Sequence, residues 1–132
     1  MEDDLSLQKL YEMMISTFGY KVAGKANNGK EAIEMYNALT NKPNVILMDH
    51  RMPIQNGLDT ALILLKFKKP PKIIFTSADI SIKAQALAIG GLTFLEKPFS
   101  VKALHDEIIK VLADSLFFHP LKPNKILFLL QS

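Results

Sequence analysis

The hydrophobic and polar positions of this chain follow two spacings in turn. Apolar side chains three and four positions apart mark one face of a helix, and this spacing predicts a first helix from about Asp4 to Gly19. Four further stretches repeat it, with Asn28 and Ser100 as predicted N-caps of the second and fifth helices. Between the helices lie short runs that predict strands, at residues 21–26, 45–48, 72–75 and 92–95.

The order of these elements predicts the fold class. Strands that alternate with helices indicate a parallel sheet with helices on both faces, joined by right-handed crossovers. Val45–Met48 is apolar throughout, as expected of a parallel strand that is buried on both faces. The sequence therefore predicts a doubly wound α/β domain.

Composition narrows the class of protein. The chain has 132 residues, a hydrophobic share of 48%, a net charge of +3 and no cysteine. These values predict one compact domain without disulfides, and a cytoplasmic location is expected. Apolar runs all fall short of the roughly 20 residues of a membrane span. The lysine cluster at residues 66–72 has no interleaved aromatics, so we expect a solvated loop and no direct contact with nucleic acid.

Polar residues stand where the predicted strands end. Asp49 follows Val45–Met48, Thr76 follows the strand that begins at Lys72, and Lys97 follows the strand at 92–95. An acidic run at residues 2–4 opens the first helix. The carboxyl ends of parallel strands share one edge of a sheet, where ligands bind. Carboxylates and one ammonium at that edge can hold a divalent cation together with a phosphoryl group.

These segments together resemble the receiver domain of two-component response regulators. The resemblance covers residues 2 to about 114 and is carried by the motifs Glu2-Asp3-Asp4, Asp49-His50-Arg51-Met52-Pro53 with Gly57, Thr76-Ser77, Gly90-Gly91 and Phe94-Leu95-Glu96-Lys97-Pro98-Phe99. It implies a flavodoxin-like fold, a five-stranded parallel sheet in the order 2-1-3-4-5 with helices on both faces.

The resemblance also implies a chemistry for particular residues. Asp49 takes a phosphoryl group from the phosphohistidine of a histidine kinase or a histidine phosphotransfer protein. Glu2, Asp3, Asp49 and the backbone carbonyl of Arg51 hold Mg²⁺, a cation that prefers oxygen ligands. Lys97 and the Thr76 hydroxyl stabilise the transferred group. The alternatives without a function are that Asp49 only caps a strand and that residues 2–3 are a frayed acidic terminus.

A switch is implied as well. Phosphorylation draws the Thr76 hydroxyl toward the phosphoryl group, and Phe94 fills the space that Thr76 leaves. The altered surface then binds a downstream protein partner. In this family the peptide bond before the proline, here Lys97–Pro98, is usually cis.

One departure from the family pattern concerns the first strand. Receiver domains begin with an apolar strand directly before the acidic pair, but here Met1 alone precedes Glu2. The apolar run at 125–130 resembles that strand. We therefore expect a receiver domain at 1–114 lacking its first strand, and a linker and strand at 115–132 that complete the sheet. The strand is supplied either in cis or by a strand-swapped homodimer. The competing interpretation is an extra edge strand or a loose apolar tail.

Two other function classes remain open. A receiver-like module could act by interaction or dimerisation without taking phosphate. An aspartate-based phosphatase normally carries a second acidic residue two positions after its nucleophile, whereas this chain has Arg51. We therefore expect a signalling domain that turns over no external substrate. The three histidines, His50, His105 and His119, lack metal-ligand spacing and are expected at the surface or in packing.

Overall fold

Helices and strands alternate along the chain, as the sequence predicts, and the strands form one five-stranded sheet. The computed structural model describes residues 4–40, 42–49, 54–68, 70–90, 92–113 and 125–130, with the backbone alone at 4–8, 49, 54–56 and 129–130. The elements in chain order are α1 (Asp4–Thr17), β1 (Lys21–Ala26), α2 (Gly29–Ala38), β2 (Val45–Asp49), α3 (Ile54–Leu65), β3 (Lys72–Ser77), α4 (Lys83–Ile89), β4 (Leu92–Glu96), α5 (Val101–Ala113) and β5 (Lys125–Leu130).

All neighbouring strands are parallel, and their order is β1-β5-β2-β3-β4. Residues 125–130 (β5) take the position of the family's first strand. With β5 counted as strand 1 and β1 to β4 as strands 2 to 5, the observed order is the expected 2-1-3-4-5. The predicted flavodoxin-like fold is therefore confirmed, including the place of the C-terminal strand in the sheet. The division into a receiver domain at 1–114 and a linker and strand at 115–132 stays a prediction.

Two layers of apolar side chains cover the sheet, because successive residues of each strand face opposite sides. Ile46, Met48, Ile73 and Phe75 pack with α2, α3 and α4 in one layer. The other layer joins α1 and α5 to the strand residues Val45, Leu47, Ile74, Ile126 and Phe128. The strands that contribute side chains to both layers form the buried centre of the molecule.

Local chemistry sets the ends of the helices. The Asn28 side chain accepts a hydrogen bond from the backbone N–H of Glu31 at 2.8 Å, and Ser100 Oγ accepts one from Ala103 at 3.0 Å. Both predicted caps are therefore confirmed. Gly19 and Gly90 adopt φ of 90° and 79°, in the left-handed region that favours glycine, where α1 and α4 end.

One of the three histidines lies in the part of the chain that the structure describes. The His105 ring on α5 stacks on Phe18, with ring centroids 4.0 Å apart, so this histidine packs the α1–α5 contact. His50 and His119 lie outside the described residues.

Across the part of the chain that the structure describes, no helix is both long and apolar enough to cross a bilayer.

Candidate functional site

The carboxyl ends of β2, β3 and β4 lie side by side at one edge of the sheet. Asp49, the last residue of β2, is in register with Thr76 on β3, and Thr76 is in register with Leu95 on β4. Lys97 directly follows β4. The sheet thus brings together three positions that are far apart in the chain, and the structure agrees with the sequence in placing them at a common edge.

The end of β3 is buried and held by a local turn. Thr76 is 0% exposed and Ser77 is 1% exposed. Ser77 Oγ accepts a hydrogen bond from the backbone N–H of Asp79 at 3.0 Å, and the Asp79 carboxylate accepts one from the N–H of Ser81 at 3.0 Å. These bonds fix the direction in which the chain leaves β3 and so restrain the backbone next to Thr76.

A backbone contact ties the end of β4 to the end of β3. The N–H of Lys97 donates to the carbonyl of Ser77 at 2.9 Å. The Lys97–Pro98 peptide bond is cis, in agreement with the family resemblance. Lys97 is half-buried. The backbone of this lysine is thereby anchored one residue away from Thr76 on the neighbouring strand.

Phe94 lies within the β3–β4 pair, one register step before Thr76. It is in register with Phe75, and the two rings stack with their centroids 6.4 Å apart and an interplanar angle of 22°. The sequence predicts a core position, whereas the structure shows a half-buried ring packed against the α2–α4 layer. The partial exposure follows from the place of β4 at the end of the sheet, where no further strand covers it.

The predicted metal ligands lie mainly outside the described residues. This holds for Glu2, Asp3 and Arg51, while Asp49 is described in its backbone but not its side chain. Within the described ranges no three His, Asp or Glu side chains come together in a way that could hold a metal ion. The proposed Mg²⁺ ligand set, and the roles of Asp49, Thr76, Phe94 and Lys97, therefore stay predictions.

The structure adds one contributor that the sequence interpretation did not identify. Asp79 shapes the turn after β3, and its only sequence signal is the Ser-x-Asp spacing at residues 77–79, a common turn pattern. β5 runs along the other side of β2, with Leu130 in register with Asp49. The candidate phosphoacceptor position is therefore flanked by β3 on one side and by the C-terminal strand on the other.

Shifted pKa values occur away from the strand edge. Burial raises the pKa of Tyr20, which precedes β1, and of Tyr36, which lies within α2. On the surface of α5, the hydrogen bond from Lys102 to Asp106, and then their opposite charges, raise the pKa of Lys102. These shifts arise from packing and from a surface ion pair rather than from a catalytic arrangement.

Comparison with known proteins places this arrangement in a family. A sequence model of the response regulator receiver domain matches residues 1–109. The chemotaxis protein CheY of Thermotoga maritima is 34% identical over 113 residues, which cover 84% of this chain and 92% of that protein. The transcriptional regulatory protein PdtaR of Mycobacterium tuberculosis is 30% identical over 104 residues, 78% of this chain and 50% of that protein.

A longer relative matches through a smaller part of its length. A protein-glutamate methylesterase/protein-glutamine glutaminase of Methanococcoides burtonii is 38% identical over 107 residues, covering 77% of this chain but 30% of that protein. The chain thus spans nearly all of one relative and half or less of the others.

Proposed function

The chain belongs to the response regulator receiver domain family, and on that premise we propose that Asp49 accepts a phosphoryl group from the phosphohistidine of a histidine kinase or a histidine phosphotransfer protein. The observation that carries this proposal is the register at the sheet edge. Asp49 ends β2 beside Thr76, and Lys97 follows the next strand along. A nucleophile, a hydroxyl and an ammonium on adjacent strand ends form the set that phosphoryl transfer needs.

The proposed reaction is a simple displacement. A carboxylate oxygen of Asp49 attacks phosphorus, an O–P bond forms, and the N–P bond to the donor histidine breaks with its electron pair going to the imidazole. Negative charge on the transferring oxygens is offset by the Lys97 ammonium, and the Thr76 hydroxyl donates a hydrogen bond to the product. The anchoring of the Lys97 N–H on Ser77 supports this positioning.

Magnesium is part of the proposal because the donor set suits it. Glu2, Asp3 and Asp49 offer carboxylate oxygens and Arg51 offers a backbone carbonyl, all hard oxygen donors. When bound there, the cation supplies positive charge that reduces repulsion between the carboxylates and the incoming phosphoryl group.

The output of the proposed domain is a contact with a downstream protein. The phosphoryl group draws the Thr76 hydroxyl toward Asp49, and the Phe94 ring follows into the space released. Two observations support this: Thr76 is fully buried, and Phe94 stacks on Phe75, which directly precedes Thr76 in the chain and is in register with Phe94. A difference of a few kcal/mol between two states suffices for such a switch.

The wider setting completes the proposal. The protein acts in the cytoplasm, binds neither nucleic acid nor membrane directly, and turns over no external substrate. Since the chain spans 30% of its methylesterase relative, that protein's glutamate chemistry is not carried over. The alternative is an interaction module that takes no phosphate.

Intact mass spectrometry separates the two. The protein is incubated with acetyl phosphate and Mg²⁺, and the proposal expects the mass of one added phosphoryl group. Asp49→Asn removes the adduct, while Asp59→Asn, at an exposed aspartate of α3, retains it. No adduct on the native chain, or an adduct that persists in Asp49→Asn, contradicts the proposal and favours the interaction module.

A further inference from the structure

β5 is held on both sides and on both faces. It pairs in parallel with β1 from Lys21↔Lys125 to Ala26↔Leu129, and with β2 from Val45↔Ile126 to Asp49↔Leu130. Ile126, Leu127 and Phe128 are each 0% exposed. In the described sheet β1 pairs with β5 alone, so removal of β5 would separate β1 from the other strands and open the core.

The same strand is joined to the rest of the chain by a long connector. Residues 114–124 separate the end of α5 from the start of β5. At about 3.3 Å per extended residue they can reach roughly 40 Å, more than the diameter of a small domain, about 30 Å. The connector contains Pro120 and Pro123, and proline favours extended backbone. The connector is therefore long enough to take β5 into the sheet of another molecule.

We propose that β5 is an exchangeable strand and that its second recipient is another copy of this chain. In a reciprocal exchange each molecule places residues 125–130 between β1 and β2 of its partner. All contacts of β5 are then reproduced, and no strand edge is left open that was paired before. The two forms share one set of strand contacts and differ in the connector and in the entropy of association.

Chain connectivity sets when each form predominates. Because β5 is tethered to its own sheet, its effective concentration there is on the order of millimolar, so the closed monomer is favoured in dilute protein. Refolding at high protein concentration favours the exchanged pair. In the exchanged pair, Leu130 of one molecule lies in register with Asp49 of the other. The sheet edge that contains Asp49 is then built from residues of both molecules. This inference rests on the sheet topology and holds whether or not Asp49 takes phosphate.

Cysteine cross-linking tests it in the full chain. Lys21 and Lys125 are register partners at the starts of β1 and β5, and the chain has no cysteine of its own. Neighbouring strands lie within the Cα separation that a disulfide spans. Lys21→Cys and Lys125→Cys chains, one of them isotopically heavy, are mixed, unfolded together, refolded at high concentration and oxidised. A covalent heterodimer linked between positions 21 and 125 is expected.

A matched pair and a double variant complete the experiment. Lys21→Cys mixed with Lys110→Cys, an exposed lysine on α5, is expected to give no covalent heterodimer above background. The double variant Lys21→Cys/Lys125→Cys, refolded in dilute solution, is expected to close within one chain. Cross-linking between 21 and 125 that does not exceed the Lys110 control overturns the proposal. Failure of the double variant to close in any form also overturns it, because the register would then be wrong.

Discussion

At the scale of single residues, Asn44 forms hydrogen bonds to the starts of two neighbouring strands, β5 and β3. Its N–H donates to the carbonyl of Lys125 and its Oδ1 accepts from the N–H of Lys125, both at 2.9 Å. Its carbonyl accepts from the N–H of Lys72 at 3.2 Å. One asparagine thereby joins the starts of β2, β3 and β5. The sequence did not reveal this role, because an asparagine after a proline is typical of an ordinary loop.

Replacement of Asn44 is expected to destabilise the fold. Asn44→Ala leaves the N–H of Lys125 without its side-chain acceptor in a buried setting, since Asn44 is 8% exposed. We expect a loss of about 1–3 kcal/mol in the free energy of unfolding, measured by urea denaturation. Asn37→Ala, at an exposed position on α2, should change it by less than about 0.5 kcal/mol. Equal effects of the two substitutions would contradict this role.

Lys97 provides a second prediction at this scale. Lys97→Ala keeps the backbone bond to Ser77 but removes the ammonium, so the fold is retained while charge stabilisation is lost. We expect phosphorylation by acetyl phosphate to slow by roughly 10²-fold, followed as the rate of adduct formation. Lys102→Ala removes an exposed ammonium on α5 and should leave the rate unchanged. An unaltered rate in Lys97→Ala would exclude the proposed role of this lysine.

At the scale of elements, α2 and α3 approach closely at Gly29. A Cβ at this position would lie 2.0 Å from Thr60 Oγ1 and 3.2 Å from Thr60 Cβ. Thr60 is a short, stiff side chain buried on α3, so it cannot rotate away easily. The start of α2 is therefore fitted to the surface of α3, and glycine is required for space rather than for a positive φ.

A double-mutant cycle measures this fit. Gly29→Ala is expected to lower the free energy of unfolding by about 1–3 kcal/mol because of overpacking. Combining it with Thr60→Ala removes the hydroxyl and methyl groups that obstruct the new Cβ. The double variant should therefore be more stable than the sum of the two single effects implies, as measured by thermal or urea unfolding. Strict additivity would mean that the two side chains do not compete for space.

The sequence predicted the order of the elements better than their ends. The caps at Asn28 and Ser100 follow from local chemistry and were predicted correctly. α3 ends at Leu65, well before the helix-breaking pair Pro70-Pro71. Phe67 instead stacks on Tyr36 with ring centroids 5.2 Å apart, and this contact between distant elements has no local signal. The 3-10 turn at Ile80–Ile82, capped by Asp79, was also missed.

At the scale of the whole molecule, the C-terminal strand completes the sheet. Its position was predictable because Met1 alone precedes Glu2 where the family pattern has a central apolar strand, and an apolar run occurs at 125–130. The register was not predictable, since the irregularity between Val22 and Gly24 depends on packing. For the candidate site, the positions of Asp49, Thr76 and Lys97 at one edge followed from the strand pattern, whereas side-chain geometry does not follow from it.

The contribution of β5 to stability can be measured directly. Phe128 is fully buried, and its ring lies 5.9 Å from that of Tyr11. Phe128→Ala leaves a cavity at the centre of the sheet and should cost about 3–5 kcal/mol, a large part of the 5–15 kcal/mol that stabilises a typical domain. Leu62→Ala, at a leucine that is 41% exposed, should cost much less. Similar urea midpoints for both variants would show that β5 contributes little to the fold.

The most direct test of the account is a crystal structure with Mg²⁺ and beryllofluoride, a mimic of the phosphoryl group. Beryllofluoride is expected on the Asp49 carboxylate, contacted by the Thr76 hydroxyl and the Lys97 ammonium, with Mg²⁺ between the carboxylates of Asp3 and Asp49. Carboxylates of Asp3 and Asp49 too distant to share one cation, or beryllofluoride bound elsewhere, would contradict it.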